Sequence, residues 1–269
     1  MPTAVAQSQV LTEPFVVPLR YLPDVMSIPR FGITASFAGA TLEPPPTYLF
    51  DTGSAMFVSA YQPGANWWGP FTPTPSSSGT IHYDSTGYGY NEAGVAVTLS
   101  GTGGALLTTG SSYSVAQATQ RFVGQTPQTD WLSQSSPYGT TPPLQGAFYG
   151  TFGADLTDPK SGLYSFINQF QMGQGMTKGF VVDATSASPT LTLGFDQPTT
   201  ARFAWHYPMI SGTIPNSYEE FLVTSALTFS GTGGGQSASI PHVSTLFDTG
   251  TPVSMLILTG SSLSLPAWT

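Results

Sequence analysis

The 269 residues predict an all-β chain arranged in two lobes, and three observations carry that prediction. Thirty Gly and 24 Pro mark many turns, and many turns imply many short strands. The apolar segments are short, rich in Val, Ile, Leu and Phe, and bounded by Gly, Pro, Ser and Thr. The third observation is a repeat. Leu49-Phe50-Asp51-Thr52-Gly53 recurs unchanged at Leu246-Phe247-Asp248-Thr249-Gly250, so one apolar run ending on a carboxylate and a tight turn occurs once in each half of the pattern.

Taken in order, Phe15-Val16-Val17 and the run from Phe31 to Phe37 read as early strands, punctuated by Pro29 and Pro44-Pro45-Pro46. Residues 63–79, rich in Pro, Ser, Thr and Trp, read as an exposed loop. The run Gly94-Val95-Ala96-Val97-Thr98-Leu99 alternates apolar and small or polar residues. With the turn 101–104 and Ala105-Leu106-Leu107 it predicts a hairpin. One helix is expected, N-capped by Ser161, with Leu163, Phe166, Ile167 and Phe170 at i, i+3, i+4 and i+7 and Gly173 and Gly175 beyond its end. Strands resume with Phe180-Val181-Val182 and with Leu191-Thr192-Leu193-Gly194. A Pro-bearing polar link at 196–200 sets the expected division: residues 1–197 as a first β lobe and 198–269 as a second.

Composition narrows the chemistry. Charged residues make up 7% of the chain and the net charge is −8, so no nucleic acid is expected as a partner. Seventeen Phe, 12 Tyr and 5 Trp argue for a packed core rather than a disordered chain. With no Cys there is no disulfide, thiolate metal site or thiol nucleophile. His82, His206 and His242 show no metal-ligand spacing, so no metal and no cofactor are expected. No stretch has transmembrane length and no signal peptide is visible. The shortage of basic groups favours an acidic, secreted or cell-surface setting.

The repeated motif points to a specific reaction class. Asp51 and Asp248 are too far apart in sequence to share an element, so each must come from its own lobe and meet the other at an interface. Two carboxylates at hydrogen-bond distance cannot both ionise easily, so they share a proton and their affinities for it split. The ionised one can take a proton from water while the protonated one donates to a carbonyl oxygen. A lone Asp-Thr-Gly is usually an ordinary turn. Two copies with the same apolar lead-in are much harder to dismiss.

Several further segments fall in the order seen in one family. Asp51-Thr52-Gly53-Ser54 and Asp248-Thr249-Gly250-Thr251, then Gly150-Thr151-Phe152-Gly153, then 191–196, together resemble the pepsin-like aspartic proteases over about residues 15 to 258. The lack of Cys resembles bacterial-type members rather than secreted eukaryotic ones. The resemblance implies a bilobal acid-protease fold with polypeptide as substrate. It implies Asp51 and Asp248 as the catalytic pair, and Thr52 and Thr249 tying the two turns together. Gly53 and Gly250 would present N–H groups to the carboxylates, and Ser54 and Thr251 would bond their outer oxygens.

The family's flap hairpin would correspond to Ile81-His82-Tyr83-Asp84-Ser85-Thr86-Gly87, with Tyr83 as its substrate-binding tyrosine and Tyr88 or Tyr90 as alternatives. The family's Trp seven residues after the first Asp is Val58 here. Trp67 and Trp68 are expected to pack under a loop. The largest departure comes after Asp248, where nothing matches the family's closing strand and Leu256-Ile257-Leu258 comes too early. The expectation is therefore an incomplete second lobe, completed by a missing C-terminal segment or by a partner chain. The alternative is a catalytically weak or inactive pepsin-like domain that binds peptides or proteins. A purely structural β domain with two incidental turns is a further rival.

Overall fold

The computed structural model describes residues 10–23, 28–68, 78–83, 86–110, 113–128, 148–155, 166–185, 187–203, 209–212, 219–223, 226–230, 237–241, 244–245 and 249. The described elements are nearly all strands, as composition and patterning predict. They begin with β1 (Val10–Leu11), β2 (Phe15–Pro23), β3 (Pro29–Phe37), β4 (Thr47–Asp51) and β5 (Phe57–Ala60). Next come β6 (Ser78–Tyr83), β7 (Thr86–Val95), β8 (Val97–Ser100), β9 (Leu106–Thr108), β10 (Tyr113–Val123), β11 (Thr126–Gln128) and β12 (Gly150–Gly153). After these lie β13 (Gln171–Met172), β14 (Thr177–Asp183), β15 (Thr190–Phe195) and the short helix α1 (Gln197–Thr200). The last are β16 (Met209–Gly212), β17 (Glu219–Val223), β18 (Ala226–Ser230), β19 (Ser237–Pro241) and β20 (Ser244–Thr245).

One 13-stranded mixed sheet runs β14-β15-β2-β3-β4-β12-β5-β10-β7-β6, with β8, β9 and β11 branching from it. Elements from Met209 onward form a three-stranded sheet, β16-β17-β20, and the pair β18-β19. From Ile33 onward burial in β3 has period two: Ile33, Ala35 and Phe37 are buried while Thr34 and Ser36 are partly exposed. The three strands around Asp51 differ. From Tyr48 to Asp51, and throughout β5 and β12, every residue is buried, so both faces of the sheet are covered here. That explains the continuous apolar runs of these segments in place of alternation.

An aromatic cluster fills the space against this centre. Phe57 lies 5.1 Å from Phe152 and 5.5 Å from Phe166, Phe152 lies 4.7 Å from Phe166, and Phe50 stacks on Phe152 at 6.3 Å. Such tilted and edge-on contacts suit the ring quadrupoles and add to the burial of apolar area.

Four local expectations met different fates. The hairpin after Leu99 forms, with β8 antiparallel to β9 across a 3-10 turn at Thr102–Gly104. The run from Gly94 to Leu99 is not one strand, however. It breaks at Ala96, whose carbonyl accepts from the Ala38 N–H, and β8 then leaves β7 to pair with β3. The helix reaching Phe170 shrinks, among the described residues, to a 3-10 turn at Ile167–Gln169, and Phe170 is already extended. Phe166, Ile167 and Phe170 are all buried as the spacing required, and β13 begins immediately after Phe170, pairing parallel with β1. Ser161 and Leu163 lie outside the described residues. The loop from residue 63 is not wholly exposed, because Trp67 and Trp68 are buried and both indole N–H groups donate to the Ala60 carbonyl.

The polar link at 196–200 is α1. Asp196 caps it by accepting from the Thr199 N–H at 2.9 Å and the Thr199 hydroxyl at 2.6 Å, and Pro198 sits in its first turn.

Candidate active site

Asp51 is the last residue of β4 and opens an unusually tight piece of chain. β12 lies parallel to β4, with Gly153 beside Asp51, and antiparallel to β5, with Gly150 opposite Ser59. The chain therefore leaves β4, turns through residues 52–56, and returns as β5 on the far side of β12. Three successive N–H groups of the inserted strand and its end hold that turn. Gly153 donates to the Met56 carbonyl at 3.0 Å, Ala154 to the Asp51 carbonyl at 2.8 Å, and Asp155 to the Ser54 carbonyl at 3.0 Å.

Residue 153 must be glycine for a steric reason. A Cβ there would lie 2.4 Å from the Met56 carbonyl oxygen and 2.5 Å from that of Ser54, both fixed backbone atoms. Gly150, with φ +154°, would place a Cβ 2.0 Å from the Val58 oxygen. The Gly-Thr-Phe-Gly run singled out in the sequence is thus dictated by crowding between β4 and β5.

The Asp51 side chain sits in this turn with 7% of its surface exposed. Its Oδ1 accepts from the Gly53 N–H at 2.9 Å, as a carboxylate leading into a Gly-bearing turn can arrange. Ser54 is buried as well.

The second motif enters through Thr249. The Thr52 N–H donates to Thr249 Oγ1 at 3.1 Å, and the Thr249 N–H donates to Thr52 Oγ1 at 3.0 Å. Thr249 Oγ1 also donates to the Phe50 carbonyl at 2.9 Å. The first two bonds are the same contact made in both directions, so the two Asp-Thr-Gly threonines face each other. Asp248, Gly250 and Thr251 lie outside the described residues.

The segment compared with a flap is a hairpin. β6 pairs antiparallel with β7, with Tyr83 opposite Thr86, Ile81 opposite Tyr88 and Gly79 opposite Tyr90. Tyr83 closes the strand at the hairpin end; its side chain lies outside the described part. Tyr88 and Tyr90 are buried, packing with Ile81 against Met56, Val58, Ala60, Ala116 and Ala118. Val58, at the position where the resembled family carries Trp, therefore lies beneath this hairpin. Burial raises the Tyr88 phenol above its ordinary range, against the opposing influence of the nearby Arg121 cation.

Residues that motif reading passed over are Met56, whose carbonyl and side chain serve the clamp and the hairpin floor respectively, and Asp155, buried at the end of the clamp. The available signal for Asp155 was a carboxylate two residues after Gly153, which by itself reads as a loop residue. Among the described residues no group of three or more His, Cys, Asp or Glu could hold a metal ion. No described helix is long and apolar enough to cross a membrane.

No protein-family model matches the chain, and no curated protein matches it. Among solved structures it is similar to an aspartic proteinase from Irpex lacteus, with 15% sequence identity and a TM-score of 0.43. The match covers 84% of this chain and 61% of that one, so the chain spans under two thirds of that protein's length. This is a distant likeness, at the level of the fold.

Proposed function

We propose that the chain is an aspartic-type endopeptidase in which Asp51 and Asp248 activate a water molecule between them. The observation that carries this reading is the reciprocal pair of bonds between Thr52 and Thr249. Each threonine comes directly after its aspartate in the sequence, so a grip between the two supports a reading in which the carboxylates stand on neighbouring turns. Two incidental turns would have no reason to interlock backbone to side chain in both directions.

In this reading the ionised carboxylate takes a proton from water as the water oxygen attacks the peptide carbonyl carbon. The other carboxyl gives its proton to the carbonyl oxygen, yielding a tetrahedral diol. Collapse breaks the C–N bond: one diol hydroxyl gives its proton to the ionised carboxylate as the carbonyl re-forms, the nitrogen takes the proton of the other carboxyl, and the pair returns to its singly protonated state. The Gly53 N–H on Oδ1 fixes the orientation of Asp51, and pre-set donors cost no reorganisation during the reaction. An extended polypeptide would lie between this turn and the β6–β7 hairpin. Ser54 and Thr251 would hold the outer carboxylate oxygens, Gly250 would mirror Gly53, and Tyr83 would contact substrate from the hairpin.

The test is hydrolysis of a denatured protein at acidic pH by the wild type and by Asp51→Asn and Asp248→Asn. Each variant should lose all measurable turnover while keeping the wild-type far-UV spectrum. A hydroxyl-bearing peptide mimic of the diol should block the wild type, and a chelator should not. Turnover persisting in either Asn variant would overturn the assignment. Tight binding of the mimic without turnover by the wild type would favour the peptide-binding alternative.

A further inference from the structure

We infer that Asp155 is a positioning residue for Asp51, acting through Ser54; this rests on the endopeptidase reading. The end of β12 supplies three consecutive N–H groups to the turn that carries Asp51, and the side chains on those three residues are not equivalent. Gly153 has none because the backbone of residues 54–56 occupies the space. Ala154 is fully buried and small. Asp155 alone carries a polar side chain, and it is only 9% exposed.

A buried carboxylate costs free energy unless other groups hold it, and a small apolar residue would continue the clamp more cheaply. Its backbone is tied to Ser54 by the 3.0 Å bond, so its side chain starts beside a serine that is itself 4% exposed. Ser54 in turn stands three residues after Asp51, inside the turn whose Gly53 N–H bonds Asp51 Oδ1. Residues 52–60 and 150–154 contribute no other carboxylate and no basic group, so Asp155 is the one additional charge-bearing position on this bracket. The carboxyl oxygen of Asp155 provides an acceptor that fixes which way the Ser54 hydroxyl points, leaving that hydroxyl correctly set towards Asp51.

The experiment compares wild type, Asp155→Ala and Asp155→Asn as full-length chains. Asn keeps a side-chain oxygen acceptor and Ala does not. Asp155→Ala should lower kcat about tenfold or more with KM within about twofold, since misplacement of a reacting group acts on the chemical step. Asp155→Asn should recover most of that loss. The amide proton shift of Gly53, which reports its bond to Asp51 Oδ1, should move in the Ala variant and stay near wild type in the Asn variant. This second readout needs no turnover. A wild type that hydrolyses nothing would sink the protease reading, while the Gly53 shift would still decide the role of Asp155. An Ala variant with unchanged kcat and unchanged Gly53 shift, or one that loses melting temperature alone, would overturn the inference.

Discussion

Two layers of side chains flank the strands around Asp51, and they are built differently. On one side Phe50, Phe57, Phe152, Phe166 and Phe170 interlock with ring centroids 4.7–6.3 Å apart. On the other, beneath the β6–β7 hairpin, the buried contacts come from Val58, Ala60, Ala116, Ala118, Met56, Tyr88 and Tyr90, mostly small residues with two long amphipathic rings. Large apolar rings bury much area and lock one packing. Ala and Val bury little, and a hairpin resting on them is held by fewer dispersion contacts. The difference teaches where the molecule is firm and where it can give: the carboxylate turn is set on the firm layer, and the strand pair that would cover substrate rests on the thin one.

The largest effect should come from breaking the firm side. Phe152→Ala removes a ring from the centre of the aromatic cluster and should cost about 3–5 kcal/mol in urea unfolding, a large part of a typical total stability. A loss under about 1 kcal/mol would show the cluster repacks freely and would erase the contrast. On the thin side Ala116→Gly should cost much less than Phe152→Ala in the same measurement, roughly 1 kcal/mol, since little area is lost and a strand residue is made more flexible.

Hydrogen exchange sharpens the comparison without mutation. Amides of β4 and β12 should be protected up to the global unfolding free energy, and those of β6 and its partners in β7 should exchange through smaller openings. Equal protection in both would make the hairpin as firm as the clamp.

The Thr52–Thr249 contact should lie in between. Thr52→Val and Thr249→Val each remove one side-chain acceptor of a backbone N–H and should cost about 1–3 kcal/mol, with a coupling term in the double variant because the two share the grip. Additive losses would mean the two threonines act independently.

The smallest effects concern pH. The Thr199 hydroxyl and N–H hold the Asp196 carboxyl below its ordinary value of 3.8. Its contribution to the α1 cap is present above that value and is lost as pH falls through the lower folded value, so Asp196→Ala should lower the melting temperature slightly at pH 6 and by less at pH 2. Burial pushes the Tyr48 phenol far above its ordinary value of 10.0, despite the bond with Ser59. Its neutral form is what the fold accepts, so stability should be complete below pH 10 and fall above it; Tyr48→Phe should flatten that alkaline loss.

Much of this was legible in residues alone. Short apolar runs between Gly and Pro turns specify strands wherever they pair, and nearly every one found in the first 195 residues is a strand. Asp-Thr-Gly after an apolar run specifies a carboxylate on a turn, because Gly53 can bring its N–H back to Asp51 within two residues. Such features depend on neighbours in sequence and need no knowledge of the rest of the chain.

What only the tertiary structure decided depends on residues distant in sequence. Where the expected helix reaches Phe170, its last described turn is 3-10 at Ile167–Gln169, and the chain then pairs with Val10 and Leu11 through Gln171 and Met172. That Trp67 and Trp68 pack inward was expected, but their shared acceptor, the Ala60 carbonyl, was not. Gly153 is required by the backbone of residues 54–56, and Asp155 is tied to Ser54, through contacts that no spacing along the chain could announce. Local backbone preference and polarity are written residue by residue, whereas crowding, burial and long-range hydrogen bonds come into being only when the strands close on one another.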